Sequence, residues 1–399
     1  MKRILFVAVF FAALACGGSE QPSKQDDPAV NPDPVVNPDT PADTPSVVVP
    51  DFAKGADIGW ASEMEAGGRT FRKKDGTAAP LLDVLKDCGI NAIRLRVWVD
   101  PYKGWCGKAD VLAQAKKVSA AGMALMIDFH YSDFFADPGR QTIPAAWAAD
   151  KADVDKMCAH VSAHTAEVLQ ALKEAGVAVS WVQIGNETRN GMLFGCGDAV
   201  WKNDQIDLGS FVRLYNAGYD AAKAVYPGAS VMPHLDNAYL SASYGNPMWL
   251  QDFKAKGGKF DMIAFSHYPQ VQGKMWVDGK EKSFTPAQMN QEAVSYIRSV
   301  IAGFGVPVVV AEVGVKTPSD EAGAKAVLQE FMTAIRQVDG VAGVFYWEPE
   351  VDGSWKPAVY SDPAAIQRYT GKAETWGAYG MGAFTSEGKP TSVMDVFAD

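Results

Sequence analysis

The sequence predicts a single catalytic domain of α/β class, a (β/α)8 barrel over residues 51–399. Three observations carry that prediction. Eight short strand-like runs alternate along this span with segments of helical periodicity. No Gly-rich turn follows an early run, as a doubly wound nucleotide-binding sheet would show, and Gly67-Gly68 follows no such run. Two runs, Trp181-Val182-Gln183-Ile184-Gly185-Asn186-Glu187 and Val306-Pro307-Val308-Val309-Val310-Ala311-Glu312, end by presenting a glutamate. The C-terminal ends of barrel strands are where such folds place their chemistry.

The chain begins outside this domain. Lys2 and Arg3 precede an apolar stretch from Ile4 to Ala15, too short to span a bilayer but suited to the core of a secretory signal. Ala13-Leu14-Ala15-Cys16 then resembles a bacterial lipobox, with Ala13 where leucine is usual. Residues 1–15 are expected to be a lipoprotein signal peptide and Cys16 the lipidated residue, with an unlipidated signal peptide as the alternative. Residues 16–50 contain repeated Asn-Pro-Asp units and almost no aromatics, so they read as an extended tether without a core. This tether carries about half of the formal charge of −10. The acidity therefore belongs largely to a solvated linker, and it argues against nucleic acid as a partner. Glu20, Asp26 and Asp27 loosely resemble the export signals of some Gram-negative surface lipoproteins, so the expected location is the outer membrane, facing the cell surface. A monomer is the expected state.

The body reads as strands at 54–58, 92–97, 124–129, 181–185, 230–234, 262–266, 306–311 and 341–346. Helical patterns fill the gaps at 110–121, 154–175 and 207–225. Asp110 is an expected N-cap, and Gly122 and Gly176 are expected stops. Of the four remaining cysteines, Cys106 and Cys196 lie in Gly-rich loops where a bridge is feasible. Cys88 and Cys158 lie in helical patterns and read as buried thiols. No cysteine or histidine spacing suggests zinc.

The strand ends form an unusually polar series. They are Asp57; Arg94 and Arg96; Asp128, His130, Tyr131 and Asp133; Asn186 and Glu187; His234 and Asp236; His267 and Tyr268; Glu312; Trp347 and Glu348. A retaining glycosidase needs two carboxyls about 5–5.5 Å apart, one acid and one nucleophile. Strands 4 and 7 face each other across a barrel mouth, so Glu187 and Glu312 can meet there. The acid must keep its proton through burial or the second carboxylate, and the nucleophile must stay ionised beside a cation such as Arg94. Asn186 is placed to bond a sugar hydroxyl, and Trp347 offers an apolar face to a pyranose ring. The same residues have plain readings. A glutamate after a strand is often a surface residue, Arg94 pairs as well with Asp57 or Asp128 structurally, and His234 fits a hydrogen-bonded core histidine. The joint pattern is what favours a catalytic site.

With these motifs in view, the chain resembles the endo-β-1,4-galactanases of glycoside hydrolase family 53. The matching stretches are Lys54-Gly55-Ala56-Asp57-Ile58, Asn91 to Trp98, Asp128-Phe129-His130-Tyr131-Ser132-Asp133, Trp181 to Glu187, His234-Leu235-Asp236-Asn237 and Gly343 to Pro349. Ala136-Asp137-Pro138-Gly139 and Pro144-Ala145-Ala146-Trp147 add to them. The resemblance implies Glu187 as acid/base and Glu312 as nucleophile. It implies Asp57, Arg94, His130, Asn186, His234, Asp236, Tyr268 and Trp347 as substrate-site residues. It further implies retaining endo-hydrolysis of β-1,4-galactan, the side chains of pectin, with no cofactor in the chemistry. Two departures stand out. Ser266-His267-Tyr268-Pro269 replaces the family's Ser-Tyr-Tyr-Pro, so His267 is expected to alter a neighbouring subsite. The loop after Glu312 is short, so the structural calcium of some bacterial relatives is not predicted. The alternatives are another β-glycanase of the clan, such as a mannanase or cellulase, and a non-catalytic glycan-binding lipoprotein.

Overall fold

The computed structural model describes residues 49–398 apart from 203–204, 239–245, 272, 278–279, 318–319 and 371–379. The expected signal peptide, Cys16 and nearly all of the tether lie outside the described residues. Eight strands form the barrel: β1 (Ala53–Asp57), β2 (Ala92–Val97), β3 (Ala124–Phe129), β4 (Trp181–Ile184), β5 (Ser230–Met232 and His234–Leu235), β6 (Ile263–His267), β7 (Val308–Val313) and β8 (Val341–Trp347). Each pairs with its neighbours in parallel, and β8 pairs with β1. The ring closes at β5, which Pro233 divides. Its first half pairs with β4 and its second with β6. Proline has no N–H for a ladder, so the strand changes partner at that residue. The Pro233 carbonyl still accepts from the Ala264 N–H at 3.0 Å.

Helices α1 (Ala61–Ala66), α2 (Leu81–Asp87), α3 (Lys108–Ala120), α4 (Val154–Glu174), α5 (Phe211–Val225), α6 (Asn246–Ala255), α7 (Pro286–Phe304) and α8 (Glu321–Ile335) surround the barrel. After β8 a short 3-10 turn, Ser392–Phe397, buries Val393, Met394, Val396 and Phe397 in the place of a last helix. The outward residues of the strands, such as Ile93, Leu95 and Val97, join the helices in one core. The inward residues of the lower barrel form a second cluster, in which alanines from several strands surround Trp181 and Phe345. These two rings meet edge to face at 5.9 Å. Gly55 makes room for them, because a Cβ there would lie 2.1 Å from the Phe345 ring. Above this plug the inward positions turn polar, and the site begins.

Several local expectations change. Strand β7 starts at Val308 and runs on to Val313, two residues past the expected end. It carries a bulge between Val310 and Val313, where it advances one residue more than its neighbours. Strict alternation from Val309 and Ala311, both inside the barrel, would send Glu312 outward. The bulge absorbs the extra residue, so Glu312 stays opposite the inward Ser266. Helix α3 begins at Lys108 rather than Asp110, with Gly107 at its cap position. Asp110 lies in the first turn and reaches back to accept the Cys106 N–H at 2.8 Å. Helix α5 begins at Phe211, because Gln205–Asp207 pairs in a small antiparallel hairpin. Gly122 and Gly176 take the left-handed conformation expected of helix stops. All four cysteines among the described residues are free. Cys106 forms no bridge to Cys196: its buried thiol donates to the Gly59 carbonyl at 3.1 Å. Cys88 is buried as expected, whereas Cys158 is only half-buried.

The plug predicts a measurable stability cost. Phe345→Ala should lower the unfolding free energy by about 3–5 kcal/mol in urea titrations, since it empties a rigid, fully enclosed site. A loss below about 1 kcal/mol would show that the lower barrel collapses freely around the gap.

Candidate active site

A cavity of about 450 Å³ opens at the C-terminal mouth of the barrel. Asp57, Arg94, His130, Asn186, Glu187, Asp236, Tyr268, Glu312 and Trp347 all line it. Of the expected substrate-site residues, His234 alone does not. Its ring is fully buried behind Glu187, where it contacts the hydroxyl of Ser266 and the backbone of Glu187.

Arg94 is the hub. It projects inward from β2 and is buried, with Nη1 2.6 Å from Asp57 and Nη2 2.8 Å from Asp128 and 3.0 Å from Glu312. It also donates to Gln183 Oε1 and to Asn186 Oδ1, at 3.0 and 2.9 Å. A guanidinium removed from water needs this density of partners. Burial pushes the Asp128 carboxyl up, but Arg94 and His130 outweigh it and hold it below its ordinary range. His130 accepts the Ala136 N–H on Nδ1 at 3.0 Å, so its Nε2–H faces Asp128 at 2.9 Å. Asn186 is held by both ends. Its Nδ2 donates to the Ala136 carbonyl at 2.9 Å while Oδ1 accepts from Arg94.

The two glutamates differ in environment. Glu187 follows Gly185 and is itself left-handed, at φ 50° and ψ 53°. Such backbone is strained for a branched-out side chain and persists where neighbours enforce it. Here Gly185 makes the turn, since a Cβ on it would lie 2.5 Å from the Thr188 methyl. Burial, then the charges of Glu312 and Asp236, raise the Glu187 carboxyl well above the ordinary value. Glu312 is raised by burial too, but Arg94 pulls it back, as does Tyr268, whose hydroxyl donates to Oε2 at 2.7 Å. The proton of the pair therefore resides on Glu187, and Glu312 ionises first. The Ser266 hydroxyl oxygen lies 2.7 Å from Glu187 Oε1 and 3.4 Å from Glu312 Oε2. That shared contact holds the two acid oxygens within roughly 6 Å of each other, short of the separation of inverting enzymes.

Other strand-end residues are scaffold. Arg96 pairs with Glu348 and lies against Trp60, Trp98 and Phe135, at 4.3, 4.9 and 4.7 Å from their ring centres. Phe135 in turn meets Trp347 edge-on at 6.2 Å, so this boxed cation backs the aromatic wall of the cavity. Tyr131 points outward and bonds Thr165, and Asp133 ties the Asp100 and Ala145 N–H groups. His267 does not reach the cavity. Alternation along β6 turns Ser266 and Tyr268 inward and His267 outward, against Asn290 of α7 and Phe331 of α8. Sequence reasoning missed Gln183, Ser266, Phe134, Phe135, Tyr360 and Met381. Inward phase on β4 and β6 would have flagged the first two, while the others come from loops with no periodic signal. Among the described residues no group of three or more His, Cys, Asp or Glu side chains is arranged to hold a metal ion.

An eight-stranded parallel barrel with two unlike carboxyls converging at its C-terminal mouth defines a glycoside hydrolase. The family model for glycosyl hydrolase family 53 matches residues 53–397, and the chain belongs to that family. It is 30% identical over 310 residues to arabinogalactan endo-β-1,4-galactanase A of Aspergillus niger, covering 74% of this chain and 84% of that one. It is 28% identical over 371 residues to an endo-β-1,4-galactanase of Bacillus subtilis, covering 85% and 78%. The fold superposes on a solved fungal β-1,4-galactanase with a TM-score of 0.68 at 26% identity, over 86% of this chain and 98% of the other.

Beside Glu348, Glu350 is buried with neither oxygen hydrogen-bonded among the described residues. Burial, and then the charge of Glu348, raise its carboxyl well above the ordinary carboxylate value. The folded state thus holds a proton that the unfolded chain releases above that value, and stability falls as pH rises past it. Glu350→Gln should leave the urea midpoint unchanged at pH 4 and raise it at pH 7. A difference that does not grow with pH would show that Glu350 is ionised or solvated in the fold.

Proposed function

We propose that this protein hydrolyses internal β-1,4-galactosidic bonds of galactan, the side chains of pectin, with retention of configuration. The observation that carries the mechanism is the Ser266 oxygen within reach of both acids, which keeps them closer than the separation an inverting enzyme needs. In the first step a carboxylate oxygen of Glu312 attacks the anomeric carbon. The bond to the leaving oxygen breaks with its electron pair, and that oxygen takes the proton of Glu187. In the second step Glu187, now a carboxylate, removes a proton from water as the water oxygen attacks the same carbon. The bond to Glu312 breaks, which restores both glutamates. Two carboxyls and a water suffice, and no cofactor takes part. Tyr268 and Arg94 hold Glu312 ionised and oriented. Trp347, with Tyr268 edge-on to it at 6.2 Å, gives a flat face for a sugar ring beside the reacting carbon. Substrate choice follows the family and its named relatives, which favour galactan over mannan or cellulose. The paired acids are redundant for a protein that only binds glycan.

The Cys16 anchor and its tether support a further reading of place: a lipidated enzyme held at the outer membrane and facing out. Labelling cells with a palmitate analogue should mark the protein, and Cys16→Ser should abolish the mark. Persistent labelling of Cys16→Ser would remove the anchor from that residue.

Glu187→Ala and Glu312→Ala should each cut turnover of β-1,4-galactan on the order of 10⁴-fold while the unfolding midpoint is kept. Azide should rescue Glu187→Ala as the β-galactosyl azide and Glu312→Gly as the α-anomer. Near-normal turnover by either alanine variant, or α-configured sugar as the first product of the native enzyme, would overturn the assignment. Hydrolysis of mannan but not galactan would overturn the substrate.

A further inference from the structure

Ser266 is fully buried beneath the two glutamates, and its partners fix how its proton can be used. The argument rests on the assignment of Glu187 and Glu312 above. His234 lies behind it with Nε2 2.9 Å from the serine oxygen. Burial, and then the charge of Arg94, hold the imidazole neutral, so one nitrogen donates and the other accepts. The backbone N–H of Glu187 points at Nδ1 from 3.3 Å, and the Gln183 amide nitrogen lies 3.1 Å from it. Asn186 Oδ1 is 2.9 Å from the same ring nitrogen, but it already accepts from Arg94 and Gln183. Nδ1 is therefore the acceptor, and Nε2–H donates to Ser266. With its oxygen pinned in this way, the serine has one hydrogen to give, and two carboxyls within reach.

We propose that Ser266 is a hydroxyl switch whose single hydrogen follows the negative charge from Glu312 to Glu187 during the reaction. Before the first step Glu312 is ionised and Glu187 is neutral, so charge draws the hydrogen toward Glu312 across the longer contact of 3.4 Å. When Glu312 becomes an ester of the sugar, its charge is gone, and Glu187 has just lost its proton. Rotation about the Cβ–Oγ bond then carries the hydrogen to Glu187. The serine forms and breaks no covalent bond. It stabilises the nucleophile in one step and the base in the next. Arg94 and Tyr268 act on Glu312, so Ser266 is the group positioned to serve both glutamates in turn.

The test compares Ser266→Ala and Ser266→Thr with the native enzyme, after thermal melts establish that each is folded. Two readouts are needed. One is kcat/KM on β-1,4-galactan against pH. The other is burst kinetics with a dinitrophenyl β-1,4-galactobioside, which separates glycosylation from release of the sugar. Asp57, Arg94, Asp128, Asp137, Asp236 and Tyr268 also act on the two carboxyls, and they are common to all three proteins. Loss of the hydroxyl removes a donor that favours the charged form of both glutamates. Both limbs of the pH profile should therefore move to higher pH, and both chemical steps should slow about tenfold. Ser266→Thr should restore them. If only sugar release and the alkaline limb respond, Ser266 is bound to Glu187 throughout and the switch is refuted. If neither step responds, or if threonine is as poor as alanine, the serine is packing. Failure of the underlying assignment would look different: Glu312→Gly would then stay active or resist azide rescue, whatever Ser266→Ala does.

Discussion

The architecture of the site depends on one buried cation. Arg94 sits at the centre of the barrel mouth, out of reach of bulk water, and each carboxyl around it is there at an energetic cost that the others reduce. Asp57, Asp128 and Glu312 meet it directly, and Arg96 and Glu348 form a second pair alongside. Acids outnumber bases in this ring. One more negative charge is therefore expensive, and the proton that Glu187 retains is the result. The unequal ionisation of the two glutamates is thus a property of the whole ring rather than of either residue.

The barrel divides along its axis into parts with opposed demands. Its lower half is a dry plug of alanines around Trp181 and Phe345, which holds strand positions rigid. Its upper half concentrates charge and backbone strain. Tyr131, Glu187 and Glu348 are all left-handed non-glycine residues, and each stands just beyond the end of a barrel strand. Rigid packing below makes such strain affordable above, since the strands cannot relax to relieve it.

Much of this arrangement was legible in the sequence. Several of the eight runs were strong because parallel strands buried on both sides read as continuous apolar stretches, as Val308 to Ala311 and Val344 to Trp347 show. The strand ends were legible because polar residues directly after such runs have few structural reasons to be there. What escaped was phase and depth. Pro233 hides a change of partner that alternation cannot reveal. Ser266 and Gln183 carry no conspicuous chemistry in a string of letters, yet they point inward. His267 looked like a site residue by adjacency to Tyr268 and is on the other face of the strand. The aromatic wall of Phe134, Phe135 and Tyr360 is assembled by irregular loops, where no period exists to read.

The bulge in β7 has a consequence for how this site tolerates genetic change. Glu312 faces the cavity because the bulge between Val310 and Val313 takes up one extra residue, Ala311, and keeps the glutamate opposite Ser266. Its register opposite Ser266 is thus set by the bulge and not by the identity of the residue at 311. Ala311 could be exchanged for another small side chain with little effect. Removing it would restore simple alternation with the glutamate directly after the outward Val310, still opposite Ser266 and still turned into the barrel. Substitution and deletion at this position would both keep the carboxylate facing in, whereas an added residue would carry it further along the strand.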